Sequence, residues 1–141
     1  MIGEGQVTSL DVDVVIRGLP GCVGAVPAIT STGIIDTGAD KVLIPLGFAK
    51  KLGLRPINYI TAFLASGEGR PAINYAGILE IPAIGYSKPL EMTAMTEGFD
   101  ANHVLLGKNF LQEFLVTIDC ANNLCWFNRG RGHASPMVDD E

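Results

Sequence analysis

The stretch Gly33-Ile34-Ile35-Asp36-Thr37-Gly38-Ala39-Asp40 places one acidic side chain directly after two apolar residues and directly before a glycine. Ile34 and Ile35 predict a short strand that delivers the Asp36 carboxylate to its end. Gly38 allows a sharp turn because it has no Cβ, and the hydroxyl of Thr37 can bond neighbouring backbone. Asp and Gly are also common turn residues, so the loop alone fits an ordinary strand-end turn as well as a reactive site.

The length and composition fit one globular domain. A chain of 141 residues can bury one good core. Hydrophobic residues make up 48% of it, which indicates apolar surface left over for a partner or a substrate groove. Ten Lys and Arg against fifteen Asp and Glu give a net charge of −5, and the basic residues are scattered outside the C-terminal tail. We therefore expect no nucleic-acid partner.

The sequence lacks targeting and metal-site patterns. No apolar run approaches the roughly 20 residues that span a bilayer, and the start Met1-Ile2-Gly3-Glu4-Gly5 has no basic segment typical of a signal peptide. We therefore predict a cytoplasmic protein without a membrane partner. Cys120 and Cys125 could form a disulfide across a hairpin, but the sequence favours reduced, packed thiols. No His lies near them at zinc-ligand spacing, so no metal is expected.

Most of the chain reads as short strands separated by turns. Residues 7–17 alternate apolar and polar side chains, with Leu10, Val12, Val14 and Ile16 on one face. Residues 31–33 are predicted to be a turn. Further strands are predicted at residues 23–29, 41–45, 59–64, 72–81, 90–96, 104–106, 115–119 and 124–127. The strands at 59–64 and 72–81 form a hairpin with a glycine-rich tip, and those at 115–119 and 124–127 form a closing hairpin.

Two short helices and a tail complete the organisation. The first helix spans residues 46–52 and ends at Gly53 as a C-cap. The second helix spans residues 108–114, where Phe110, Leu111 and Phe114 have helical spacing. Residues 129–141 lack a core-forming pattern, and we predict that they are disordered.

Three features occur in a set order: the Asp36 loop, the glycine-tipped hairpin near 65–70, and Leu105-Leu106-Gly107-Lys108-Asn109-Phe110-Leu111. Together they resemble the retropepsin family, the single-domain aspartic proteases that work as homodimers. The resemblance covers about residues 7–128. It implies an all-β closed acid-protease barrel with a flap hairpin and a short C-terminal helix, forming one domain over residues 1–128.

The resemblance implies an aspartic endopeptidase that hydrolyses extended peptides without a cofactor. One carboxylate takes a proton from water while a carboxylic acid protonates the carbonyl oxygen. Two adjacent carboxyls achieve this by sharing one proton, since like charges at that distance do not both ionise. The chain has one such loop, because Asp119 is followed by Cys120-Ala121 rather than Thr-Gly. The second carboxylate would come from a second copy, so we expect a C2 homodimer.

Site roles follow from the same resemblance. Asp36, Thr37 and Gly38 are the expected catalytic loop: Asp36 of each subunit meets at the axis, Thr37 holds the two loops together, and the Gly38 carbonyl faces substrate. Ala39 and Asp40 are expected to bind substrate.

The later glycine motif and the hairpin supply the remaining roles. Asp40 would pair with Lys108, where many relatives carry Arg. Lys lacks the bidentate fork of Arg, so we expect a looser pair and a weaker dimer. Ala65, Ser66 and Gly67 form the tip of the proposed flap, which would close over a peptide; a plain mobile surface hairpin is the alternative.

The substrate groove is expected to be apolar and lined by Val42, Ile44, Leu64 and Ala65. The chain ends do not suit the interleaved terminal strands of retroviral relatives, so strand 124–127 is a candidate dimer contact instead. Two other functions remain open from the sequence. One is a catalytically silent retropepsin-like dimerisation or peptide-binding module, and the other is a monomeric β-barrel that carries an apolar ligand in an interior cavity.

Overall fold

The computed structural model describes residues 6–96 and 103–128, so the tail at 129–141 predicted to be disordered lies outside the described residues. The described residues form mainly β-structure. The strands are β1 Gln6–Ser9, β2 Asp11–Arg17, β3 Ala28–Ile35, β4 Val42–Leu43, β5 Arg55–Phe63, β6 Gly69–Ile81, β7 Tyr86–Met95, β8 Val104–Leu106, β9 Leu115–Asp119 and β10 Leu124–Asn128. The helices are α1 Leu46–Leu52, α2 Lys108–Leu111 and a 3₁₀ turn at Pro82–Ile84.

Six of the strands close into a barrel, which confirms the predicted all-β barrel. Their order is β2-β3-β8-β4-β7-β6, and the closing contact is the antiparallel pairing of β6 with β2. Strand β5 pairs with the first half of β6 outside the closed ring and so completes the predicted hairpin. Strands β1, β10 and β9 form a separate three-stranded antiparallel sheet, which contains the predicted closing hairpin.

The barrel interior is filled by apolar side chains. Val14, Ile16, Leu79 and Leu106 are completely inaccessible to solvent and belong to one continuous core. Among the described residues, these side chains form a packed core inside the barrel. No helix of the described residues is long and apolar enough to cross a membrane.

The predicted single strand over residues 7–17 is wrong in one respect, because it is two strands separated at Leu10. The backbone N–H of Leu10 donates to the Asn123 carbonyl, and its carbonyl accepts from Ile35 N–H. Leu10 therefore links β1, which pairs with β10, to β2, which pairs with β3.

The predicted strand at 23–29 and turn at 31–33 are also wrong, because β3 begins at Ala28 and continues through residues 31–33. Gly33 serves close packing rather than a turn: a Cβ there would lie 2.6 Å from Val14 Cγ1 and 3.0 Å from Leu106 Cδ1. β5 and β7 begin four residues earlier than predicted, at Arg55 and Tyr86. α2 ends at Leu111, three residues before the predicted end at Phe114.

Helix α1 has its predicted bounds and its predicted C-cap, since Gly53 has φ +63° in the left-handed region. The three cysteines are free thiols, as the sequence favoured, although only Cys125 is fully buried and Cys120 is exposed. Burial raises the pKa of the Cys125 thiol to about 11.

Candidate active site

The Asp36 loop begins where strand β3 leaves the barrel. The Asp36 N–H donates to the Leu106 carbonyl of β8 at 3.1 Å, which fixes the end of β3 against the neighbouring strand. The carboxylate Oδ1 accepts the Gly38 N–H at 2.9 Å, and the Asp36 carbonyl accepts the Ala39 N–H at 3.2 Å. The loop thus folds back on itself and holds a half-buried carboxylate at its start, while Thr37 and Gly38 are exposed.

The glycine motif after β8 supports the loop from behind. Lys108 N–H donates to the Ala39 carbonyl at 2.8 Å, and Asn109 N–H donates to the Asp40 carbonyl at 3.0 Å. Gly107 permits this approach, because a Cβ there would lie 2.3 Å from the Lys41 carbonyl oxygen and 2.8 Å from the Ala39 carbonyl oxygen. The two motifs that are about 70 residues apart in sequence therefore form one hydrogen-bonded unit.

A groove of 430 Å³ lies beside the loop. Its lining includes loop residues Gly38, Ala39 and Asp40 together with residues 60–63 at the end of hairpin strand β5. The remaining lining residues are Lys41, Leu43 and Thr93. The groove therefore runs between a strand-end carboxylate loop and a hairpin.

A solved structure has a similar architecture. The chain is similar to the crystal structure of a retropepsin-like aspartic protease from Rickettsia conorii, with a TM-score of 0.51 and 17% sequence identity over 89% of this chain and 94% of that one. The chain has the retropepsin-like fold. No protein-family profile and no curated protein sequence matches it.

Within the retropepsin-like fold, the residues predicted for the site separate into two groups. Gly38, Ala39 and Asp40 line the groove, and Asp36 and Thr37 precede them directly in the same loop. Ala65, Ser66 and Gly67 lie at the exposed hairpin turn beyond β5, where Gly67 has φ +89°, and they do not line this groove.

The pair predicted between Asp40 and Lys108 is present but loose. Lys108 Nζ lies 4.0 Å from Asp40 Oδ1, and the two side chains are 59% and 92% exposed. An ion pair this exposed contributes little to stability within one subunit. Its geometry agrees with the expectation that Lys does not reproduce the fork of Arg.

Asn109 has a role that the sequence analysis missed. Its side-chain Oδ1 accepts the Val42 N–H at 2.8 Å, and its Nδ2 donates to the Glu91 carbonyl at 2.8 Å. One amide thus connects the short strand β4 to β7 beneath the loop. The sequence feature that could have indicated this role is the position of Asn109 directly after Gly107 and Lys108 in the glycine motif.

The predicted groove lining is wrong, because none of the four residues named for it, Val42, Ile44, Leu64 and Ala65, lines the groove. Val42 and Ile44 are fully buried in the core and do not reach the groove. Leu43 lies between them and faces the groove, because successive side chains of a strand point to opposite faces. Lys41, which shares the face of Leu43, also contacts the Glu91 carboxylate, so the groove contains charged and polar groups as well as apolar ones.

Proposed function

We propose that this chain is an aspartic endopeptidase whose active form is a homodimer. The observation that supports this most directly is the groove between the Asp36 loop and the β5–β6 hairpin, in a chain with the retropepsin-like fold. A strand-end carboxylate beside a groove can take a proton from the water that attacks a bound peptide.

The dimer follows from the chemistry of the carboxylate. One Asp36 can be a base or an acid but not both at once, and hydrolysis of a peptide needs both. The sequence has a single Asp-Thr-Gly loop, and Asp11 and Asp13 are exposed on strand β2. The second carboxyl is therefore the Asp36 of another copy, brought close by a two-fold axis. Thr37 lies next to that axis and connects the loops.

The substrate would lie extended in the groove. Gly38, Ala39 and Asp40 would bind its backbone from the loop side, and the hairpin turn at Ala65, Ser66 and Gly67 would close over it from the other side. Main-chain hydrogen bonds of this kind supply affinity, while the pockets for alternate side chains supply specificity. The cytoplasmic location indicated by the sequence stays a prediction.

Cleavage of a mixed peptide library between about pH 4 and 7 tests the proposal, comparing the native chain with Asp36→Asn and with the control Asp13→Asn. Asp36→Asn is nearly isosteric but cannot share a proton. We expect it to lose a factor of about 10²–10⁴ or more in rate, the usual effect of removing an acid–base group. Asp13→Asn makes the same chemical change on an exposed strand and should cleave normally.

Two results would contradict the proposal. If the native chain cleaves nothing at concentrations where sedimentation shows a dimer, the chain is a silent dimerisation or binding module. If Asp36→Asn cleaves as fast as the native chain, the measured activity does not come from this loop.

A further inference from the structure

A chain of polar side chains crosses the sheet below the groove. The Thr93 hydroxyl of β7 donates to Asn74 Oδ1 of β6 at 2.6 Å, and Asn74 Nδ2 donates to Asn58 Oδ1 of β5 at 3.0 Å. Asn74 is 1% exposed and Thr93 is 5% exposed. A buried amide is costly unless its polar atoms are bonded, so the position of Asn58 opposite Asn74 matters for the free energy of folding.

The pairing of β5 with β6 is irregular at this point. Pro56 pairs with Tyr75 and Asn58 pairs with Asn74, so Ile57 is an extra residue in β5 that has no opposite partner. Such a bulge changes which side chains of the following strand point to each face. After the bulge, Ile60 pairs with Ala72.

The bulged register leaves large apolar side chains in water. Ile57 is 49% exposed, Tyr59 is 79% exposed and Phe63 is 73% exposed, whereas Ile60 and Ala62 are half-buried on the face of β5 that Asn58 shares with Asn74. Residues 60–63 all border the groove. Regular pairing without the bulge would place Ile57 opposite Asn74 and Tyr59 opposite Ala72. Those two side chains would then point to the face of Asn74, and Ile60 and Ala62 would point outward. Apolar burial alone therefore does not favour the observed register.

We propose that Asn58 and Asn74 are positioning residues that select the bulged register of β5 and so determine which of its side chains point to the face that Asn74 shares with the groove. With Ile57 opposite it, Asn74 Nδ2 would lose its acceptor inside the protein, whereas the bulge supplies Asn58 Oδ1. The register is a property of the hairpin and does not depend on the proposed protease activity. Its effect on substrate preference does rest on that activity.

The other end of the hairpin also fits the bulged register. Gly69 lies opposite Phe63, and a Cβ on Gly69 would come within 2.7 Å of Thr61 Cγ2. A side chain there would clash with the outward face of β5. Loss of the Asn pair should therefore populate the regular register alongside the bulged one rather than replace it.

Disulfide trapping distinguishes the two registers. The pair Ile60→Cys with Ala72→Cys reports the bulged register, and the pair Tyr59→Cys with Ala72→Cys reports the regular one. Each pair is introduced into a chain in which the accessible Cys22 and Cys120 are changed to Ser, and the cross-link yield under mild oxidation is measured by mass spectrometry.

With Asn58 and Asn74 intact, we expect the Ile60–Ala72 pair to dominate. Asn58→Leu should raise the yield of the Tyr59–Ala72 cross-link by roughly tenfold, the shift that loss of one ordinary hydrogen bond gives. Asn128→Leu, the same change on β10, should leave the yields unchanged. Asn74→Leu should act like Asn58→Leu if circular dichroism shows that it folds.

The proposal is wrong if Asn58→Leu keeps the native cross-link pattern; because Asn58 is exposed, this variant decides even if Asn74→Leu does not fold. If the native chain cleaves peptides, Asn58→Leu should also change the preferred substrate side chain rather than only lower kcat, since Tyr59 would enter the groove. Failure to detect cleavage would count against the proposed function and leave the cross-linking result intact.

Discussion

Replacing Gly107 by Ala tests whether the glycine motif and the Asp36 loop form one packed unit. Gly107 is buried with φ −91°, a backbone conformation open to any residue, so Ala adds no backbone strain. The added Cβ would lie 2.3 Å from the Lys41 carbonyl oxygen, 2.6 Å from the Lys41 carbonyl carbon and 2.8 Å from the Ala39 carbonyl oxygen. All three contacts are with backbone, so no side-chain rotation relieves them and the loop itself must move.

Overpacking of this kind costs typically 1–3 kcal/mol of unfolding free energy, and contacts with backbone justify the upper end, about 3 kcal/mol. Gly47 provides the matched control, because a Cβ there meets nothing within 4 Å. Gly47 lies in α1, so Gly47→Ala should be neutral or stabilise by up to about 1 kcal/mol. Urea unfolding followed by circular dichroism measures both variants. A loss of less than about 0.5 kcal/mol for Gly107→Ala would refute the close packing of the two motifs.

Three further predictions concern single side chains. Asn109→Ala leaves a buried N–H and a carbonyl without their partner, at about 1–3 kcal/mol for each group, so urea unfolding should show a total loss of ~2–6 kcal/mol; a loss below about 1 kcal/mol would contradict the bridging role. At pH 8 iodoacetamide should modify Cys120 well before Cys125, because Cys125 is buried and its pKa of about 11 keeps it protonated, and equal rates by mass spectrometry would contradict this. Lys108→Arg should strengthen the dimer in sedimentation, but by no more than about fivefold because its partner Asp40 is 92% exposed; a weaker dimer would count against that pairing.

The sequence predicted the parts of the fold that depend on local pattern. Alternation in β2, the triplet of β8 and the capped helix α1 each have a period or a terminator that is visible in a few residues. The Asp36 loop was also predictable, because its residues follow one another in a distinctive order: two apolar residues, Asp36, Thr37 and then a glycine.

The errors arose where tertiary contacts override local pattern. Residues 31–33 have the composition of a turn, but they lie within β3. Position 33 is occupied by glycine because the neighbouring side chains leave no room for a Cβ. The β5 bulge places Asn58 opposite Asn74, its hydrogen-bond partner, which is sixteen residues away and belongs to another strand. The sequence predicted that Val42 and Ile44 line the groove, whereas Leu43 does. Local pattern could not show this, because the orientation of the two-residue strand β4 is set by its partners β7 and β8.

In the proposed enzyme, two copies of Asp36 form one reactive pair across the dimer. Subunit mixing tests it most directly: native chain and Asp36→Asn are exchanged at constant total concentration, and peptide cleavage is followed as the native fraction changes. If the pair forms across a dimer, activity follows the square of the native fraction, so with about one tenth native subunits only ~1% of dimers remain active. Activity in simple proportion to the native fraction would show that each chain works alone, which would contradict the claim.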